Sequence, residues 1–116
     1  MIAISKLLVG AGLLSAVSHH GWADYDTERA FTLDGTIGTI EYVNPHVLVR
    51  VQPAGDTART WLAVLAPPSR MTRRGLPGDS LRVGQAARLY GYPHKELPDE
   101  MRVERITIGD RTTELR

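Results

Sequence analysis

The residues best suited to chemistry in this chain are its four histidines, because the sequence contains no cysteine. His19 and His20 are adjacent, His46 follows an Asn-Pro dipeptide, and His94 lies in a polar segment bounded by prolines. A neutral imidazole nitrogen is a good ligand for copper, zinc and nickel. The absence of cysteine excludes disulfides, thiolate metal sites and cysteine nucleophiles. The residue types therefore favour metal binding through imidazole.

His19 would gain a second donor if it were the first residue of a processed protein. A free α-amine and the imidazole of the same residue can chelate one metal ion together. A third nitrogen, from His20 or His46, would complete a set suited to the tetragonal geometry that Cu(II) prefers. Copper is therefore the metal we expect at these residues.

Residues 1–18 have the pattern of a secretory signal peptide. Lys6 precedes an apolar run that ends at Val17. This run is too short to span a bilayer comfortably, since spanning takes about 20 apolar residues. Ala16 and Ser18 form a small-x-small signature that predicts cleavage before His19. The sequence thus predicts a periplasmic or secreted protein with no stable membrane span after cleavage.

Two other interpretations of this stretch stay open. Cleavage after Ala23 would remove both adjacent histidines, and an uncleaved segment would act as a membrane anchor. Only the first alternative removes His19 and His20 from the working protein.

The composition predicts one domain, 19–116, and excludes several function classes. The chain has 116 residues, 42% of them hydrophobic, with 14 basic and 13 acidic side chains. Lys6 is the only charged residue among 1–18, so the processed chain would have no net charge. A neutral domain lacks the positive field that nucleic-acid binding normally needs. No nucleotide loop, Ser/His/Asp order or paired-carboxylate motif is present, which gives no support for a hydrolase.

After residue 30 the sequence favours a mainly all-β fold. Three predicted strands, a short helix and two or three further strands match the order of a small OB-like barrel of five to six strands. A six-stranded meander or sandwich is the alternative. Gly35 and Gly38 lie inside the first strand and predict bulges or strong bending. The predicted strands are 32–43, 46–52, 60–66, one reached through 80–92, 101–109 and 111–115, with the helix within 67–76.

His46 begins the second predicted strand, whose alternation places it opposite Val47, Val49 and Val51. If those valines fill the barrel, His46 points outward and can meet an amino-terminal segment laid across the surface. The alternative is a structural role, in which His46 caps the hairpin by hydrogen bonding to Asn44 or to a backbone carbonyl.

Other residues near the histidines are weaker candidates for a role at the metal site. Asp26 could orient an imidazole or donate an oxygen to the metal, although a solvated lead-in to the first strand is the commoner role. Asn44 could support His46 in the same indirect way. Trp22 and Tyr25 would anchor the segment on the domain. A solvated loop histidine is the expected role of His94.

A second function class rests on the basic residues around the helix. Arg70, Arg73, Arg74 and Arg82 could form a face that binds a protein or an anionic glycan of the cell envelope. A barrel groove could serve the same purpose. A copper enzyme built on His19 is a third and weaker interpretation, so no catalytic residue is assigned.

The chain resembles a family of small exported bacterial proteins of unknown function. Its members open, when mature, with His-His, and later carry Asn-Pro-His at a turn. The matching stretches here are His19-His20, Tyr25-Asp26, 31–35, Asn44-Pro45-His46, 73–75 and 81–87. The resemblance implies that the histidine motifs belong together, but it implies no activity. Two departures are Leu76, where members commonly have tryptophan, and Ser18, where they commonly have alanine.

The leading hypothesis is an exported, non-catalytic metal carrier or buffer, with copper favoured. Its ligands would be His19, His20 and His46, with Asp26 and Asn44 supporting them.

Overall fold

The computed structural model describes residues 21–116, so the predicted signal peptide, His19 and His20 lie outside the described residues. In this part of the chain, six strands and one α-helix account for the regular structure, with short 3₁₀ turns at Trp22–Asp24 and Gly78–Ser80. The elements are β1 (Phe31–Glu41), β2 (Leu48–Pro53), β3 (Trp61–Val64), α1 (Pro68–Arg73), β4 (Ala86–Pro93), β5 (Glu100–Ile108) and β6 (Arg111–Glu114).

Strands β1 to β5 close into a barrel. The strands are hydrogen-bonded in the order β3-β2-β1-β4-β5-β6, and β3 also pairs in parallel with β5. This parallel pairing joins the two ends of the sheet, while β6 extends antiparallel from the second half of β5. The helix lies between β3 and β4 in the chain. The predicted all-β, OB-like barrel is confirmed, and the closure excludes the open meander.

The barrel interior is filled by the alternating valines of the second strand. Val47, Val49 and Val51 are fully buried in one core cluster. Met71 from α1 and Met101 from β5 are buried in the same cluster, so both methionines have core roles. Within residues 21–116, no helix is long and apolar enough to cross a membrane.

Two glycines allow β1 to bend around the barrel. The register between β1 and β2 shifts between Ile37 and Thr39, which places an irregularity at Gly38, as the sequence predicts. At Gly35 the strands approach so closely that a Cβ atom would overlap the carbonyl oxygen of Gln52. Glycine is needed there because any side chain would push β1 and β2 apart.

Candidate metal site at the amino-terminal segment

The segment from Gly21 to Asp26 is docked on the outside of the barrel. The amide of Lys95 donates to the carbonyl of Asp24 at 2.9 Å, and the amide of Asp26 donates to the carbonyl of Pro93 at 2.9 Å. Tyr25 also forms an isolated antiparallel bridge with His94. These backbone bonds attach the chain that follows His20 to the end of β4.

Trp22 lies between two guanidinium groups. The guanidinium carbons of Arg102 and Arg116 are each 4.4 Å from the centre of its ring, and Tyr92 contacts it edge-on at 5.8 Å. Arg102 is only 5% exposed, and this burial lowers the pKa of its guanidinium. Cation–π contacts strengthen when the cation is desolvated. Trp22 is therefore held by charge as well as by apolar contact.

Tyr25 fixes the other end of the segment. Its side chain is 1% exposed, and its hydroxyl donates to Oε2 of the buried Glu100 at 2.6 Å. Burial, followed by the hydrogen bond to Glu100, raises the pKa of Tyr25 well above its ordinary value. The phenol therefore stays protonated and satisfies a carboxylate that would otherwise be costly to bury. The predicted anchoring by Trp22 and Tyr25 is confirmed.

His46 lies in the loop that leads into β2. Backbone hydrogen bonds of Val47 with Leu65 and Ala66 continue the pairing of β2 and β3 beyond their ends. Because Val47 faces the core, the alternation places His46 outside, where its side chain is half-buried. The prediction that His46 begins a strand is wrong by two residues, because β2 begins at Leu48.

The register connects His46 to the docked segment. Leu48 pairs with Val64, Val64 with Arg102, and Arg102 with Tyr92, so these residues form one row across four strands. Trp22 lies against the Arg102 and Tyr92 end of this row. His46 is two residues beyond the Leu48 end. On a flat sheet, with strand spacings of about 4.8 Å and a rise of about 3.3 Å per residue, two strands and two residues correspond to a Cα separation of about 12 Å.

His94 has a structural role. Its Nδ1 atom accepts hydrogen bonds from the amides of Glu96 and Leu97, both at 3.0 Å. A neutral imidazole that accepts at Nδ1 carries its proton on Nε2, so neither nitrogen has a lone pair left for a metal. The ring also packs edge-on against Tyr25 at 5.0 Å. In this arrangement His94 supports the segment and is not a ligand.

Asp26 lies in a local turn, and Asn44 lies in the loop just before His46. The Oδ1 atom of Asp26 accepts from the amide of Glu28 at 3.1 Å, which forms a local turn before β1. Asn44 is exposed and precedes a cis peptide bond to Pro45. Asp26 thus lies at the lead-in to β1, and its role beside a metal ligand stays a prediction because His19 and His20 lie outside the described residues.

The basic residues around α1 are partly used within the fold. Arg70 donates to the carbonyl of Leu115 at 3.4 Å, and Arg74 donates to the carbonyls of Glu114 and Arg116. Arg73 is exposed. Two of these arginines thus attach the helix to the carboxyl-terminal residues.

Sequence reasoning did not identify Glu100, Arg102 or Tyr92 as partners of the segment. The alternation in β5 places Met101 and Val103 in the core, and so places Glu100 and Arg102 outside. Charged residues on an outer face are ordinarily exposed. In the sequence, only the two aromatic residues Trp22 and Tyr25 could have indicated that the amino-terminal segment covers Glu100 and Arg102. Within residues 21–116 there is no group of three or more His, Asp or Glu side chains arranged to hold a metal.

Residues 7–100 match DUF6152, a family of unknown function. The chain belongs to this family. No curated protein matches the chain. The match of DUF6152 to this sequence includes His19, His20 and His46 as well as the docked segment. The family match assigns no activity to the chain.

The barrel of this DUF6152 member is similar to part of a much larger solved protein. The crystal structure of a TiaS–tRNA(Ile2)–ATP complex matches with a TM-score of 0.52 and 20% identity, over 79% of this chain and 20% of that one. A TiaS–tRNA(Ile2)–AMPCPP–agmatine complex matches with a TM-score of 0.50 and 18% identity, over 72% and 19%. The chain spans about a fifth of those proteins, and the similarity concerns the fold.

Proposed function

We propose that this protein is an exported copper-binding protein, a periplasmic carrier or buffer, whose ligands are His19, His20 and His46. The observation that carries the proposal is that the segment from Gly21 to Asp26 is docked on the barrel. Trp22 is two residues from His20, and it is clamped at one end of the row that leads to His46. The docking thus holds the residues that follow His20 on the barrel, and we infer that it brings His19 and His20 towards His46.

The distances are compatible with a shared site. Two residues of extended chain span at most about 7 Å, which is the reach from Trp22 to His20. Ideal strand spacings give about 12 Å between the Cα atoms of His46 and Arg102, the residue under Trp22. Imidazole side chains from both sides would cover the remaining separation. His94 is excluded from the set because Nδ1 already accepts two hydrogen bonds.

The docking also supports processing before His19. Cleavage after Ala23 would remove Trp22 and with it both cation–π contacts to Arg102 and Arg116. A signal peptide is discarded and has no need to pack on the mature domain. With His19 at the terminus, its α-amine and imidazole would supply two donors, and His20 and His46 would supply imidazoles. This nitrogen-rich set suits Cu(II) better than hard cations such as Mg²⁺ or Ca²⁺.

The first test is the mass of the exported protein, which distinguishes a chain that begins at His19 from one that begins at Asp24. The second is a Cu(II) titration of the His19 form, followed by electron paramagnetic resonance. We expect one tight site with nitrogen hyperfine structure. His46→Ala should weaken binding by about tenfold or more, since loss of even an outer-shell partner typically costs about that much. The matched control is His94→Ala, which should leave the copper affinity unchanged.

The results separate the proposal from its alternatives. Equal affinity in His46→Ala and the native protein would remove His46 from the site. A mature chain that begins at Asp24 would overturn the whole ligand set and would favour an envelope interaction module.

A further inference from the structure

A cavity of about 270 Å³ lies where the segment after α1 passes over β5 and β6. The docked amino-terminal segment contacts β4 and β5, whereas this cavity is lined by β5, β6 and the segment after α1. The proposed copper function does not use it. Its apolar wall consists of Leu76, Ile106 and Ile108, while Ser80, Thr113 and Arg111 supply polar groups. The volume is just below the range of about 300–1,000 Å³ typical of small-molecule pockets.

The cavity exists because of how the helix ends. The amide of Leu76 donates to the carbonyl of Met71, and the amide of Gly75 donates to the carbonyl of Thr72, which is the Schellman pattern. Gly75 has a φ of +94°, as this pattern requires. The turn directs Leu76 inward, to 7% exposure, but leaves an unfilled space between it and Ile106.

Arg111 gives the cavity a positive charge at its rim. Its guanidinium lies over Gly75, where a Cβ atom would overlap Nη2. Within residues 21–116 this guanidinium forms no ion pair, unlike those of Arg59, Arg88, Arg105 and Arg116. A guanidinium is well suited to a carboxylate because it donates two parallel hydrogen bonds.

We propose that this cavity binds a small organic carboxylate with an apolar body, of about the size of benzoate. The apolar part would contact Leu76 and Ile106, and the carboxylate would accept hydrogen bonds from Arg111. The apolar wall favours an organic acid over an inorganic anion. The small volume favours one ring or a short chain over a lipid.

The test uses the purified protein with benzoate as the probe and benzyl alcohol as its neutral counterpart. We expect saturable amide shifts in nuclear magnetic resonance, confined to residues around Leu76, Ile106 and Thr113, and much weaker binding of the alcohol. Arg111→Gln should lower the benzoate affinity by roughly tenfold or more, because a charge-assisted hydrogen bond is lost. Arg82→Gln, at another exposed arginine, is the matched control and should bind as the native protein does.

A second variant tests the cavity itself. Leu76→Trp places a larger apolar side chain in the space and should abolish binding. Its circular dichroism and melting temperature would show whether the barrel is retained. If the barrel is retained and benzoate still binds, or if Arg111→Gln and Arg82→Gln lose affinity equally, the cavity is not the binding site. Absence of saturable shifts in the native protein would also overturn the proposal, whatever the outcome of the copper titration.

Discussion

Two aromatic residues, Trp22 and Tyr25, attach the amino-terminal segment to charged groups of the barrel, of which Arg102 and Glu100 are buried. Trp22 lies between Arg102 and Arg116, and Tyr25 donates to Glu100. A cation–π contact contributes about 0.5–2 kcal/mol, depending on desolvation. A hydrogen bond to a charged group contributes about 1.5–3 kcal/mol. The segment is thus fixed by a few residues, each of which can be tested by itself.

Replacement of Trp22 by alanine should release the segment. We expect the free energy of unfolding to fall by about 1–3 kcal/mol, because both cation–π contacts and the ring contact with Tyr92 are lost. Trp22→Phe should give a smaller loss, since phenylalanine keeps a weaker π face. Chemical denaturation measures the stability, and hydrogen exchange at the Lys95 amide measures the docking. An unchanged Lys95 exchange rate in Trp22→Ala would contradict this role of Trp22.

The phenols of Tyr25 and Tyr92 should make the protein less stable at high pH. The hydrogen bond to Glu104, together with desolvation, raises the pKa of Tyr92 to about 12, and burial raises that of Tyr25 further. In the unfolded chain a tyrosine has a pKa of about 10. Above that pH the unfolded state holds fewer protons than the folded one, so the free energy of unfolding falls as pH rises. Below about pH 10 the contribution is complete.

The measurement is denaturant unfolding at about pH 9 and about pH 11. Tyr25→Phe and Tyr92→Phe should each remove part of the difference between the two values, and the double variant should remove most of it. Tyr25→Phe should also lower stability at neutral pH by about 1–3 kcal/mol, because Glu100 loses its donor. A pH dependence that is the same in the double variant as in the native protein would count against this assignment.

At the scale of elements, β1 is the central strand that must bend for the barrel to close. It pairs with β2 on one side and with β4 on the other, and it bends at its two internal glycines. A methyl group at Gly35 would overlap the carbonyl of Gln52 and lie 2.6 Å from Cγ1 of Val51. One of these atoms is backbone and cannot rotate away. At Gly38 the nearest atom would be 3.6 Å away, which is ordinary contact.

Gly35→Ala should therefore be much more destabilising than Gly38→Ala. We expect Gly35→Ala to cost about 3 kcal/mol, the upper end of the range for overpacking, because β1 must move from β2 to admit the methyl group. Gly38→Ala should change the free energy of unfolding by less than about 1 kcal/mol, since the space is available. Thermal unfolding followed by circular dichroism measures both. Similar melting temperatures for the two variants would show that close approach at Gly35 does not limit the barrel.

The elements that sequence predicted best are those whose signals are local. The alternation of Val47, Val49 and Val51 predicted β2 and its buried face, and the internal glycines predicted the bend of β1. The fourth strand begins later than the stretch 80–92 suggests, because Gly84 adopts a φ of +89° in a turn before Ala86. The parallel pairing of Leu62 with Glu100 could not be located from the sequence, because it joins residues that are far apart in the chain.

The candidate site was only partly predictable for the same reason. His46 was placed on an outer face by alternation, and Trp22 and Tyr25 were expected to anchor the segment. Their partners Arg102 and Glu100 lie on the outer side of β5 and are nevertheless buried, which is a property of the assembled fold. The use of Nδ1 of His94 as an acceptor for two amides depends on loop geometry that no sequence pattern specifies.

For the molecule as a whole, the amino-terminal segment should couple metal binding to stability. The chain has no disulfide, so packing and the docked segment hold the fold. We compare a form that begins at His19 with one that begins at Asp24. Without metal, the Asp24 form should already be less stable by about 1–3 kcal/mol, because it lacks Trp22. This difference tests docking alone.

Addition of Cu(II) then tests the ligands. At a free concentration one hundred times the dissociation constant, binding to the native state alone would stabilise the His19 form by about 2.7 kcal/mol. The Asp24 form, without His19 and His20, should show no such increase, and His46→Ala in the His19 form should show a reduced one. Differential scanning calorimetry with and without copper measures all three. If copper stabilises the Asp24 form as much as the His19 form, the metal binds elsewhere on the barrel and the segment has a structural role only.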